Sequence, residues 1–168
     1  MTLAALNSLP LPQLKEELRR CCGAAAWVER MSERFPVKDA VSLLEAAGSI
    51  WKACSEDDWR EAFSHHPQIG DLASLKKKFA STAQWAAGEQ AAVQQASENI
   101  LEELAAGNRQ YLEKFGYIFI VCASGKSAAE MLHLLKERLP HTPADEIRVA
   151  MAEQEKITKI RLEKLLIS

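Results

Sequence analysis

An all-α fold is what this sequence predicts: one domain over 1–168, a bundle of about seven to nine helices with a short extended segment near 117–123. Three observations predict it. Apolar residues recur at helical spacing along most of the chain. Capping patterns and proline or glycine stops punctuate that periodicity. Only one stretch, "YIFIVCASG", has the β-branched and aromatic density of a strand.

Taken in order, "PLPQLKEELRRCC" sets Pro12 near a first turn, where its missing N–H costs nothing, and stops at Gly23. "AAAWVERMSERF" follows and halts before Pro36. "KDAVSLLEAAGSIWKAC" places Val41, Leu44, Ala47, Ile50 or Trp51, and Cys54 on one stripe. Ser55 with Asp58 forms a capping-box pattern that opens the "WREAF" helix, and Asp71 is placed to cap "LASLKKKF". A long helical segment runs over 86–115, with a break expected near Gly107 and a stop at Gly116. Ser127 with Glu130 opens "AAEMLHLLKERL", which ends before Pro140, and Thr142 and Pro143 start the last helix. No internal repeat or low-complexity linker interrupts this order. "YIFIVCASG" has no partner strand, and a lone strand cannot satisfy its backbone. It is read as a crossing segment whose N–H groups must meet side chains, water or a ligand. Phe119, Ile120, Val121, Cys122 and Ala123 are therefore a candidate pocket wall.

The composition narrows the function classes. The chain is 48% hydrophobic and 26% charged, ordinary globular material, with a net charge of −2 that gives no pull toward nucleic acid or anionic membrane. The basic run Lys76-Lys77-Lys78 reads as a solvated helix face. The N-terminal "MTLAALNSLP" does not read as a signal peptide, and no apolar run is long enough to span a bilayer. Cys21, Cys22, Cys54 and Cys122 lack disulfide or metal spacing, so reduced thiols and a cytoplasmic location are expected. The C-terminal "LLIS" is not a peroxisomal signal. His65, His66, His133 and His141 lack zinc spacing, and no phosphate loop or nucleophile elbow is present; no metal and no cofactor are expected.

Three positions carry candidate chemistry. Pro67 pushes the preceding residue out of the helical region, so a helix must end near Ser64 or His65 with His66 just past it. An imidazole there serves proton transfer near neutrality, or merely sits well at the helix's negative end. In the last helix Arg161 falls on the stripe of Ile147, Ala150, Ile157 and Leu165. A buried guanidinium needs an anion: an internal carboxylate, or a substrate carboxylate gripped by its planar fork. Glu89 and Gln90 occupy the first turn of the long helix, where a carboxylate is favoured by the dipole.

Together, "W-x2-AF-x2-HP-x-IGD" (59–71), "EQ" at Glu89-Gln90, "N-x2-Y-x2-KFG-x2-FI" (108–120) and "E-x3-A-x2-E-x2-KI-x3-RL" (146–162) resemble the 2-oxo-4-hydroxy-4-carboxy-5-ureidoimidazoline (OHCU) decarboxylases of urate catabolism. The resemblance implies an all-α, usually homodimeric carboxy-lyase that converts OHCU to (S)-allantoin without a cofactor. It makes His66 the catalytic proton donor beside Pro67, with Glu89 and Arg161 at the catalytic centre. It also lays the family's Ser-x-x-Glu-Gln substrate segment on Ala86, Ala87, Gly88, Glu89 and Gln90, and its backbone-binding segment on Phe119 to Ala123. Ala86 departs from the family serine, which removes a hydroxyl from the pocket and a cap from the helix. Two other readings stay open: an α-helical interaction module without activity, and a diverged member acting on a related ureido or hydantoin acid.

Overall fold

The computed structural model describes residues 1–67, 71–79 and 90–167, with side chains throughout except at 90–96. Among these residues the architecture is all-α, with nine helices and no strand. The helices are α1 (Leu3–Asn7), α2 (Leu11–Cys21), α3 (Ala25–Ser32), α4 (Ala40–Ala53), α5 (Glu56–Ser64), α6 (Leu72–Phe79), α7 (Gln90–Phe115), α8 (Ala128–Arg138) and α9 (Pro143–Ile167). Residues 117–123 contain no regular element, as the crossing-segment reading requires. No helix is long and apolar enough to cross a membrane among the described residues.

The chain divides into two compact units. One comprises Met1–His66, Ile120–Cys122 and Ile147–Ser168; the other comprises Pro67–Phe119 and Ala123–Glu146.

In the first unit α3 packs against α2, α4 and α5. Its core holds Leu6, Leu18, Trp27, Met31, Leu43, Trp51, Phe63, Ile120 and Leu162. Indole rings contribute large apolar area but each brings an N–H that must be satisfied. Trp27 donates to the Ala47 carbonyl at 3.1 Å, Trp51 to Met151 at 2.9 Å and Trp59 to Trp51 at 2.9 Å. The Ser55–Asp58 capping box forms in both directions. The start of α3 lacks a side-chain cap of its own, and the Glu61 carboxylate of α5 accepts the Ala25 N–H at 2.6 Å instead.

In the second unit α7 packs against α6 and α8. Asp71 caps α6 through the Ser74 N–H, Ser127 caps α8 through the Glu130 N–H, and Gly116 ends α7 at φ 81°. That positive φ is where glycine carries no steric penalty. The buried charge of this unit is Arg138, 5% exposed, whose Nε donates to Glu146 Oε2 at 2.8 Å and Oε1 at 3.2 Å. Tyr111 donates its hydroxyl to the same carboxylate, and His141 Nδ1 lies 3.0 Å from it. Desolvation is thereby offset on every side of the pair.

Three expectations change. The five-residue α1 was not anticipated; Thr2 caps it by accepting the Ala5 N–H. The buried stripe of α4 is Leu43, Ala47, Ile50, Trp51 and Cys54, while Val41 is 64% exposed. The stripe starts at Leu43, about 200° round the helix from Val41, so the buried face is rotated from the one that spacing alone suggested. Finally, α7 runs through Gly107 unbroken. Gly107 is there for proximity: a Cβ would lie 2.6 Å from Cδ2 of the fully buried Leu135 on α8.

Candidate active site

The site starts with how α5 ends. Trp59, Ala62 and Phe63 bury one face of that helix, and the capping box fixes its start. The backbone then tightens: the His65 N–H bonds Ala62 O at 3.2 Å and the His66 N–H bonds Phe63 O at 3.3 Å. These are i to i−3 closures, typical of a final turn that cannot continue. The helix finishes at Ser64, as the proline predicts. His65 and His66 then part company. His65 lays its ring over Gly23, where an added Cβ would stand 2.6 Å from the imidazole carbons. His66 is half-buried and bonds through Nε2 to the Oε1 of Gln154 on α9.

The α9 face that enters the first unit reads Ile147, Ala150, Gln154, Thr158 and Leu162, all 3% exposed or less. Arg161 sits beside this face rather than in its middle and is half-buried. The sequence argument for a deeply buried arginine therefore applies to Arg138, with its Glu146 partner, and not to Arg161. Arg161 donates from Nη1 to the Cys21 carbonyl at 3.4 Å. Among the described residues no carboxylate lies within salt-bridge distance of it.

Burial pushes the His66 imidazole below its ordinary pKa of 6.5; the Gln154 bond opposes that shift, while the charges of Arg161 and His65 add to it. Burial thereby favours the neutral ring. Arg161 is thus an electrostatic neighbour of His66, and the structure brings these two predicted residues together. Burial likewise raises the thiols of Cys21, to about 11, and Cys22, to about 12, so neither is a nucleophile at neutral pH.

Ile120, Val121 and Cys122 belong to the same unit, and the expected search of this segment for partners is answered in part by a side chain. The Cys122 N–H donates to the Glu153 carboxylate of α9 at 3.3 Å. Of the other predicted positions, Pro67 is exposed, and Phe119 stacks edge-on to Tyr111 with the Arg138 guanidinium 4.5 Å from its ring centre. The Ala123 carbonyl accepts the Lys126 N–H at 3.1 Å. Ala86, Ala87, Gly88 and Glu89 lie outside the described residues, as does the side chain of Gln90, the first residue of α7. Among the described residues no cluster of three or more His, Cys, Asp or Glu is placed to hold a metal ion.

Gln154 is the site residue that sequence reasoning missed. Its signal was a polar side chain at i+4 from Ala150 and i−4 from Thr158, inside the apolar stripe. Such a residue must be paired if buried.

An all-α scaffold thus sets a half-buried imidazole in the field of a guanidinium that, among the described residues, has no carboxylate within salt-bridge distance. The family model for OHCU decarboxylase matches residues 7–163, and the chain belongs to that family. It is 39% identical over 153 residues to the uric acid degradation bifunctional protein TTL of Arabidopsis thaliana, which is 90% of this chain and 47% of that protein. It is 25% identical over 166 residues to the uric acid degradation bifunctional protein of Bacillus sp. (strain TB-90), 98% of this chain and 32% of that one. The chain thus spans less than half the length of these relatives. A crystal structure of OHCU decarboxylase in the presence of (S)-allantoin superposes with TM-score 0.72 at 38% identity, covering 91% of this chain and 99% of that one. A crystal structure of (S)-allantoin synthase shares the fold, with TM-score 0.71 at 22% identity.

Proposed function

We propose that this protein decarboxylates OHCU to (S)-allantoin without a cofactor, as a single catalytic domain over 1–168. The observation that carries the reading is a half-buried His66 whose pKa is lowered by burial and by the Arg161 charge, in a chain whose residues 7–163 match the family.

OHCU holds its own electron sink. The carbon bearing the hydroxyl and carboxylate adjoins a ring carbon double-bonded to nitrogen. When the carbon–carboxylate bond breaks, its electron pair forms a carbon–carbon double bond and the C=N pair moves onto nitrogen, which takes a proton from solvent. The resulting enol must lose its O–H proton, and the ureido-bearing carbon must gain one. CO2 departs, and one solvent proton is consumed overall. The protein has to hold, polarise and move protons.

Arg161 grips the substrate carboxylate by its planar fork. His66, neutral at rest, takes the hydroxyl proton and delivers it as imidazolium to one face of the ureido-bearing carbon. One-sided delivery is what makes the product (S). Glu89 and Gln90 bind the ureido and ring edges, with the 86–88 segment, Pro67 and the backbone of Phe119 to Ala123 completing the substrate contacts. The same reading includes a cytoplasmic homodimer, which light scattering tests.

The experiment is to generate OHCU from urate with an oxidase and a hydrolase in the cuvette, add this protein, and follow ellipticity. Faster appearance of dextrorotatory allantoin supports the assignment, and a decay no faster than the spontaneous one ends it. Ala86 in place of the family serine favours one second reading, a related ureido or hydantoin acid as substrate. Turnover of such an acid with OHCU untouched selects it.

A further inference from the structure

Five buried polar residues are found among the described ones: Ser32, Arg138, Glu146, Gln154 and Thr158. Arg138 and Glu146 neutralise each other, and Ser32 donates to the Glu29 carbonyl of its own helix. Gln154 and Thr158 are different, because their hydrogen bonds lead from the core to His66.

From this geometry we infer that Gln154 is the positioning residue of His66, holding the imidazole with its proton on Nε2 and leaving Nδ1 as the nitrogen that exchanges protons with substrate. The argument follows donors and acceptors outward from the core. Thr158 is 3% exposed, and its Oγ1 accepts the Gln154 amide N–H at 3.0 Å. That bond turns the amide carbonyl toward His66. A carbonyl oxygen only accepts, so the facing Nε2 must carry a hydrogen. In neutral imidazole the other nitrogen, Nδ1, then holds the lone pair. Gln154 does not touch the reacting atoms in this scheme. It fixes the tautomer and the ring plane, and it stabilises the imidazolium once Nδ1 has taken the hydroxyl proton.

This inference rests on His66 being the catalytic imidazole, and its test separates the two. The tautomer is read in the ligand-free protein by two-bond nitrogen–proton correlation on 15N-histidine-labelled samples, with His66 assigned by its loss in His66→Asn. The wild type is expected to show the Nε2–H form. Gln154→Leu is expected to mix the tautomers and lower kcat about tenfold or more with KM little changed. Gln154→Glu is expected to keep the Nε2–H form, raise the His66 titration by about one unit, move the acid limb of kcat/KM with it and recover more kcat than Leu. Thr158→Val frees the amide to rotate and is expected to mix the tautomers as well, which covers the case of a Leu variant that does not fold. An Nδ1–H tautomer in the wild type overturns the inference, as does a Gln154→Leu protein with unaltered His66 signals and kcat. An inactive protein whose tautomer follows Gln154 instead overturns the catalytic assignment of His66.

Discussion

At His66 the titration is decided by where one ring sits. Burial and the Arg161 charge hold its pKa below 6.5, which favours the neutral ring that the proposed mechanism needs at rest. The kcat/KM profile is expected to be flat from neutrality upward and to fall as pH drops through that depressed pKa. A profile that falls on the alkaline side instead would make the resting imidazolium the donor. The same shift links to stability: the unfolded state takes up the proton first, so His66 contributes stability above about pH 6.5 that is lost as pH falls toward the folded value. His66→Asn is expected to lose about a hundredfold or more in kcat and to release racemic allantoin, both read in one ellipticity trace. Arg161→Ala is expected to raise KM about tenfold or more. It is also expected to raise the His66 titration in the ligand-free protein, because a neighbouring cation has gone. An unmoved imidazole titration in that variant rules out the electrostatic coupling.

At the scale of elements, α5 is fixed at its start, away from His66. The capping box of α5 satisfies two backbone N–H donors at the end opposite His66. Ser55→Ala is expected to lower unfolding free energy by about 1 kcal/mol, measured by urea titration. Gly107 in α7 tests the opposite intuition. Alanine is favoured over glycine in a helix by about 1 kcal/mol. Even so, Gly107→Ala is expected to destabilise, because its Cβ enters the space of fully buried Leu135. A rise in midpoint for Gly107→Ala would show that the α7–α8 contact relaxes freely.

At the scale of the whole molecule, the largest single penalty is expected far along the chain from His66, at the Arg138–Glu146 pair. Glu146 is fully buried, and it holds together Arg138, Tyr111 and His141. Burial and the carboxylate push the Tyr111 hydroxyl well above the ordinary phenol range, while the guanidinium opposes them; the hydroxyl stays a donor. Glu146→Ala leaves a buried cation without its partner and is expected to cost about 3–5 kcal/mol. Replacing both Arg138 and Glu146 by apolar residues of similar volume is expected to cost much less. Denaturant unfolding of the single and double variants checks the pair.

What the sequence determined by itself was local or modular. Helical periodicity, caps at Ser55, Asp71 and Ser127, the stop at Gly116 and the proline that ends α5 each depend on residues within a turn of one another. The joint motif pattern was likewise legible, and the family match over 7–163 bears it out. Tertiary structure alone decided which polar side chain met which. Gln154 reaches His66 across 88 positions, Glu61 caps α3 across 36, and Gly107 answers to Leu135 on another helix. It also decided that Arg138, not Arg161, is the arginine buried with a carboxylate. The physical reason is range: helix propensity and capping act within a few residues, whereas pairing of buried polar groups is set by chain segments brought together only on folding.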